Sequence, residues 1–215
     1  EAVLDVISST AFINGPAVKE FQKNLEEYLD CKHVIPCANG TDALQIALMA
    51  SGLEQGDEVI VPSFTYVATA EVIGLLKLQP VMVEVDEETF NVTAEIIEEA
   101  ITPRTKAVVP VHLFGQCSDM EPIMEVAEKH GLFVIEDNAQ AIGSGYRFSD
   151  GTTKKAGTIG DVGTTSFFPA KPLGAYGDAG ACMTHDANLA KSMREIMNHG
   201  QGERYQHTRI GINGR

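Results

Sequence analysis

The sequence contains no tryptophan, only four cysteines, and only 16 Lys and Arg against 30 Asp and Glu. The resulting formal net charge of −14 argues against a nucleic-acid partner, because phosphate-backbone binding relies on clustered cations. The acid is spread over helical surfaces such as Glu95, Glu98 and Glu99, where it serves solubility. Cys31, Cys37, Cys117 and Cys182 show no paired spacing, which excludes a disulfide framework and fits a reducing cytoplasm. Cys31, His33 and Cys37 lack a fourth partner and lie in a strand-like run, so a metal site is not expected there. No apolar run reaches membrane-spanning length and no signal peptide is evident. The lysine-containing phosphate loop and the GxGxxG fingerprint are also missing near the first helical stretch.

What is present is an alternation of β-rich runs and amphipathic stretches. Strands are expected at His33–Cys37, Glu58–Val61, Val81–Val85, Ala107–Leu113, Phe133–Ile135, Gly163–Phe168 and Gly180–Thr184. Helices are expected at Asp42–Ala50, Val67–Leu76, Ala94–Ala100, Met120–His130 and Ala187–Asn198, several closed by Gly52, Gly131 or Gly200. Phe12–Asp30 reads as a loop followed by a helix, with Pro16 near its start. Apolar strands separated by helices imply an α/β fold with a mainly parallel sheet covered on both faces. No repeat or linker divides the chain, so residues 1–215 are expected to form one large domain. The chain opens without Met and stops at Arg215 without a terminating signal, and is expected to be a fragment.

In such sheets ligands bind beyond the carboxyl ends of the strands, so chemistry is sought just after each one. Asn39-Gly40-Thr41-Asp42 follows the first strand; it suits a phosphate at a helix start, and equally a simple helix cap. Ser63-Phe64-Thr65-Tyr66 follows the second, where an aromatic ring either stacks on a flat heterocycle or fills core space. Glu136, Asp137 and Gln140 follow an apolar strand; a carboxylate there ligates a metal, caps a helix or pairs with a cationic ring nitrogen. Finally, Lys171 stands between Pro169 and Pro172 after an apolar run, with Ser166 on the same segment. A lysine at a rigid, mostly apolar strand exit is a candidate for a Schiff base. Together these groups supply a phosphate cradle, an aromatic, an acid and a lysine, which a plain nucleotide-binding module would not need.

The runs NGTDALQIAL, PSFTYVATAE, VIEDNAQA and SFFPAKPLGAYGD resemble the DegT/DnrJ/StrS family of sugar-nucleotide aminotransferases, and the likeness extends from FINGPAVKEF to GINGR. The wording around Lys171 particularly resembles members acting on 3-oxo uronic-acid sugar nucleotides in bacterial surface-polysaccharide (lipopolysaccharide O-antigen) synthesis. The resemblance implies the three-layer αβα large domain of pyridoxal-phosphate (PLP) fold type I, with a smaller C-terminal domain lying outside this chain. It implies that Lys171 carries pyridoxal 5'-phosphate covalently, that Asp137 pairs with the pyridine nitrogen and that Gln140 faces the phenolic oxygen. Gly40, Thr41, the Asp42 amide and Ser166 would surround the phosphate, and Tyr66 would stack on the ring. Asn213 would reach the phosphate of a neighbouring subunit, so a cytoplasmic homodimer with shared sites is implied. Glutamate would be the amino donor and a keto-sugar nucleotide the acceptor. A PLP-dependent sugar dehydratase of the same family, which typically has histidine where Lys171 stands, and a non-catalytic regulatory protein are the alternatives. One departure is Ala179, which makes GDAGA of the commoner GDGGA.

Overall fold

Strand and helix follow one another through the chain as the pattern implies, and the computed structural model describes all residues from 1 to 215. The helices are α1 (Ala2–Ser9), α2 (Pro16–Leu29), α3 (Gly40–Ala50), α4 (Ala68–Leu75), α5 (Ala94–Glu99), α6 (Met120–His130) and α7 (Ala187–Met197). The main strands are β1 (His33–Cys37), β2 (Glu58–Pro62), β3 (Gln79–Val83), β4 (Thr105–Val108) and β5 (Phe133–Asp137). Two short strands, β6 (Gly145–Arg147) and β7 (Thr153–Lys155), form a hairpin before β8 (Val162–Ser166) and β9 (Gly180–Thr184). A last small hairpin pairs β10 (Gln201–Glu203) with β11 (Gln206–His207).

Seven strands make one sheet in the order β1-β9-β8-β5-β4-β2-β3. Only β9 runs against its neighbours, pairing antiparallel with both β1 and β8. The carboxyl ends of β1, β2, β5 and β8 therefore emerge along one edge, which brings the four groups of interest together. Side-chain alternation explains the layers. Val59, Val61, Ala107 and Ile135 pack with α3, α4 and α7 on one face. Ile60, Val108 and Val134 meet α5 and α6 on the other. Further along that second face, Val34, Ala181 and Met183 receive Leu25 and Leu29 of α2.

Local signals account for the helix ends. Pro16 opens α2, Asn39 Oδ1 accepts the Asp42 N–H at the start of α3, and Asp186 caps α7 through the N–H groups of Asn188 and Leu189. α6 closes on Gly131, whose φ of 65° is the left-handed conformation that glycine adopts without steric cost. The structure departs from the expected elements at three places. The strand expected over Ala107–Leu113 stops at Val108: Val109 N–H still donates to Ile60 O, but Pro110 has no N–H and Leu113 enters a short 3₁₀ turn. The strand expected at Val81–Val85 sits at Gln79–Val83, an edge position that tolerates Pro80. Helix α1, which buries no residue, and the two small hairpins carry no strong periodic signal and were not expected.

Ile135 lies fully buried in the central strand between layers. Replacing it with alanine is expected to lower unfolding free energy by about 2–5 kcal/mol, measured by urea titration; a loss below about 1 kcal/mol would contradict this account of the core.

Candidate active site

One cleft of about 630 Å³ opens at the carboxyl edge of the sheet, within the range usual for small-molecule sites. Gly40, Thr41, Asp42, Tyr66, Asp137, Gln140, Ser166 and Lys171 all line it. Asn213 does not; it is exposed near the end of the chain, bridged to Asn198.

The start of α3 forms one wall. The first-turn N–H groups of Gly40 and Thr41 have no preceding turn to engage them, so they are available to an anion. The Asp42 N–H is already taken by Asn39 Oδ1 at 2.8 Å, so the cap and the anion-binding reading share this turn. A methyl group on Gly40 would lie 2.6 Å from Ser166 Cβ, so glycine is what lets the helix start approach β8. Ser166 Oγ accepts from Phe168 N–H at 3.2 Å and remains beside that cradle. Burial, with help from Asp178, raises the Asp42 carboxyl above its ordinary range, and Asn39 opposes the shift.

Tyr66 and Phe64 are 71% and 50% exposed, so neither fills the core. Tyr66 stands on the rim of the cleft, whereas Phe64 packs against Phe90 and Phe114 with ring centroids 5.6 and 6.4 Å away. Gln140 Oε1 accepts from Phe114 N–H at 2.9 Å, which orients its amide at the opposite wall.

Asp137 ends β5 with its carboxylate buried behind the cleft. Thr69 Oγ1 donates to Oδ2 at 2.9 Å, and Ala139 N–H donates to Oδ1 at 3.2 Å. Burial raises the Asp137 carboxyl above the usual range, only partly opposed by these two donors and by nearby His112 and Lys171. A positive group placed in the cleft would relieve that burden. Lys171 is half-buried in the loop after β8, and its N–H donates to Phe168 O at 2.8 Å. Ala179 packs against the cluster containing Phe167, so its methyl fills space without entering the cleft.

Three residues without an assigned role prove to matter here. Thr69 belongs to the PSFTYVATA run, and its signal was a hydroxyl on an otherwise apolar helix face. Glu136 and His112 form a fully buried pair, with His112 Nε2 2.8 Å from Glu136 Oε2. Glu136 also accepts the N–H groups of Gly157 (2.8 Å), Ile159 (2.6 Å) and Gly160 (2.7 Å). Burial alone would raise Glu136, but His112 and these amides hold it below the ordinary carboxylate range.

The whole chain, residues 1–215, matches the model of the DegT/DnrJ/EryC1/StrS aminotransferase family. This chain belongs to that family. It is 50% identical over 210 residues to the UDP-2-acetamido-2-deoxy-3-oxo-D-glucuronate aminotransferase of Pseudomonas aeruginosa, covering 98% of this chain and 57% of that protein. It is 47% identical over 214 residues to a protein of Geobacillus stearothermophilus named pleiotropic regulatory protein, covering 99% and 56%. The solved structure of ntda from Bacillus subtilis with bound cofactor PMP superposes with a TM-score of 0.91 at 36% identity, covering 99% of this chain and 48% of that one. The three-layer αβα architecture is therefore that of family members. The chain spans about half the length of the relatives it matches.

Asp137 binds its proton more tightly folded than unfolded, so its contribution to stability is complete below the unfolded pKa and fades as pH rises through the folded one. In the ligand-free protein this one contribution is expected to be lost as pH rises through and above the carboxylate range, and Asp137→Asn to remove that loss. Urea unfolding at stepped pH should show the variant gaining on the native protein toward pH 7; parallel pH profiles would contradict it.

Proposed function

We propose that residues 1–215 form the cofactor-binding large domain of a PLP-dependent aminotransferase that moves an amino group from glutamate to a keto-sugar nucleotide. The observation that carries this reading is the placement of Lys171 and the buried Asp137 in one cleft, beside a helix start that comes close to Ser166 because residue 40 is glycine. Pyridoxal phosphate fits this donor set. The N–H groups of Gly40 and Thr41 and the Ser166 hydroxyl would hold its phosphate, with the Asp42 amide shared with the cap. Asp137 would pair with its cationic ring nitrogen, Gln140 would face its phenolic oxygen, and Tyr66 would cover the ring.

When bound, the cofactor supplies an electron sink that stabilises a carbanion at the donor's α-carbon. This chain's residues do the rest. Lys171 would hold the cofactor, and its free Nζ would take the proton from the donor's α-carbon. Asp137 keeps the ring nitrogen protonated, and Thr69 holds the carboxylate in place. Asn213 is exposed and outside the cleft of its own chain; in a homodimer it would reach the phosphate held by the second copy. The name of the Pseudomonas relative supports a 3-oxo uronic-acid sugar nucleotide as acceptor; a place in surface-polysaccharide (lipopolysaccharide) synthesis in the cytoplasm belongs to the reading drawn from the sequence resemblance. No helix is long and apolar enough to cross a membrane.

A second reading, a regulatory protein on the same fold, is favoured by the name of the Geobacillus relative. The two readings part on turnover. The cofactor-loaded protein should show a visible band that glutamate bleaches and that the correct keto-sugar nucleotide restores. Lys171→Ala should lose that band and reduce turnover by about 10³-fold or more. Retained turnover in the variant would defeat the assignment, and a stable band with no response to any amine would favour the regulatory role.

A further inference from the structure

Away from the cleft, the chain holds one buried network that the mechanism above does not use. It lies on the opposite face of β5 from Asp137. Alternation sends the Asp137 side chain one way and that of Glu136 the other. Glu136 gathers four donors: the His112 ring and the N–H groups of Gly157, Ile159 and Gly160, which precede β8. Thr164 Oγ1 donates to Glu136 O at 3.1 Å, and Asn138 N–H donates to Thr164 O at 2.8 Å. The Asp137 peptide is clamped in turn, with its N–H on Pro110 O (2.9 Å) and its carbonyl accepting from His112 N–H (3.0 Å). His112 thus touches Asp137 through its backbone and Glu136 through its ring.

The ring's protonation state follows from its neighbours. Burial pulls His112 toward the neutral form, while Cys117 and Glu136 favour the charged one. Yet Ser118 N–H donates to Nδ1 at 3.1 Å, and a doubly protonated ring would set two N–H groups head to head there. The geometry decides for a neutral ring with its proton on Nε2, aimed at an ionised Glu136. Cys117 completes the residue types of a thiol-hydrolase triad, but its Sγ lies 3.9 Å from the same Nε2 that serves Glu136. With Nδ1 filled by Ser118, no lone pair faces the thiol. The cluster is not a second catalytic centre.

We propose that the Glu136–His112 pair is a positioning device: it locks the exits of β4, β5 and the turn before β8 together and so fixes the Asp137 carboxylate in the cleft. Outer partners of this kind commonly change activity about 10–100-fold without touching substrate. The consequence for the reaction rests on the aminotransferase reading; the consequence for Asp137 does not.

Two histidine variants separate positioning from packing. His112→Gln places an amide N–H near the Nε2 position and keeps a donor for Glu136. His112→Asn keeps an acceptor for Ser118 N–H and leaves Glu136 short of a donor. Both remove the ring. In the ligand-free protein, hydrogen exchange at the Ala139 amide reports the Asp137 carboxylate directly, because that N–H donates to Oδ1. His112→Asn is expected to speed this exchange at least about 10-fold relative to His112→Gln. In the protein loaded with pyridoxal phosphate, His112→Asn is expected to lower kcat about 10–100-fold with little change in KM for glutamate, and His112→Gln to recover most of it. Equal exchange in the two variants, or equal losses of kcat, would overturn the proposal. A native protein that bound no pyridoxal phosphate would overturn the functional reading instead, leaving the exchange comparison to judge the positioning claim alone.

Discussion

A carboxylate kept in a dry place is the constraint around which this structure is arranged. Asp137 sits at the exit of the central strand with one hydroxyl and one amide for partners. Burial disfavours its charge, and no cationic side chain lies within ion-pairing distance. Such a group is expensive to keep unless something outside the protein repays it. That imbalance distinguishes a site from a structural ion pair. Glu136, one residue earlier, is buried just as deeply and is fully satisfied by four donors. Adjacent acids on one strand thus divide the work: one secures the frame and the other is left wanting a partner on the side where the cleft lies.

The sheet makes this division possible. A strand turns alternate side chains to opposite faces, so two consecutive acids cannot share one environment. A mainly parallel sheet then delivers the ends of β1, β2, β5 and β8 to the same edge, where no single strand could assemble the chemistry. The lone antiparallel strand, β9, lies between β1 and β8 and holds the start of α3 and Ser166 in register. Rigid elements, rather than long loops, therefore fix the spacing between the Gly40 turn and Ser166.

Much of this was legible in the sequence because the signals are local. Asn39 before an apolar helix, Pro16 at the start of α2 and Gly131 at the end of α6 each mark their own boundary. The strand-exit rule pointed to Asp137 and Lys171, which the fold brings to one cleft, without any knowledge of topology. What was hidden depends on contacts far apart in the chain. Nothing near His112 reveals that its ring meets Glu136, 24 residues later. Thr69 looks like an ordinary helix residue until Asp137, 68 positions away, is brought beside it. Pro110 ended a strand that apolar content alone would have continued. Helix α1 buries nothing, so the amphipathic signal that reveals other helices is absent from it.

The acidity of the chain bears on how it would hold an anion at all. With a net charge of −14, and with Asp42 and Asp178 lining the same cleft, the long-range field works against a phosphate. Attraction must come from groups that carry no net charge: the N–H dipoles at the start of α3 and the Ser166 hydroxyl. Such donors act over one hydrogen-bond length, so their placement matters more than the total charge of the protein. That is why a single hydrogen in place of a methyl at residue 40 weighs so heavily. Lys171 cannot be spared for the phosphate in the proposed chemistry, since its amine must be free to bond and to carry protons. A cradle built of backbone amides leaves the lysine to that task.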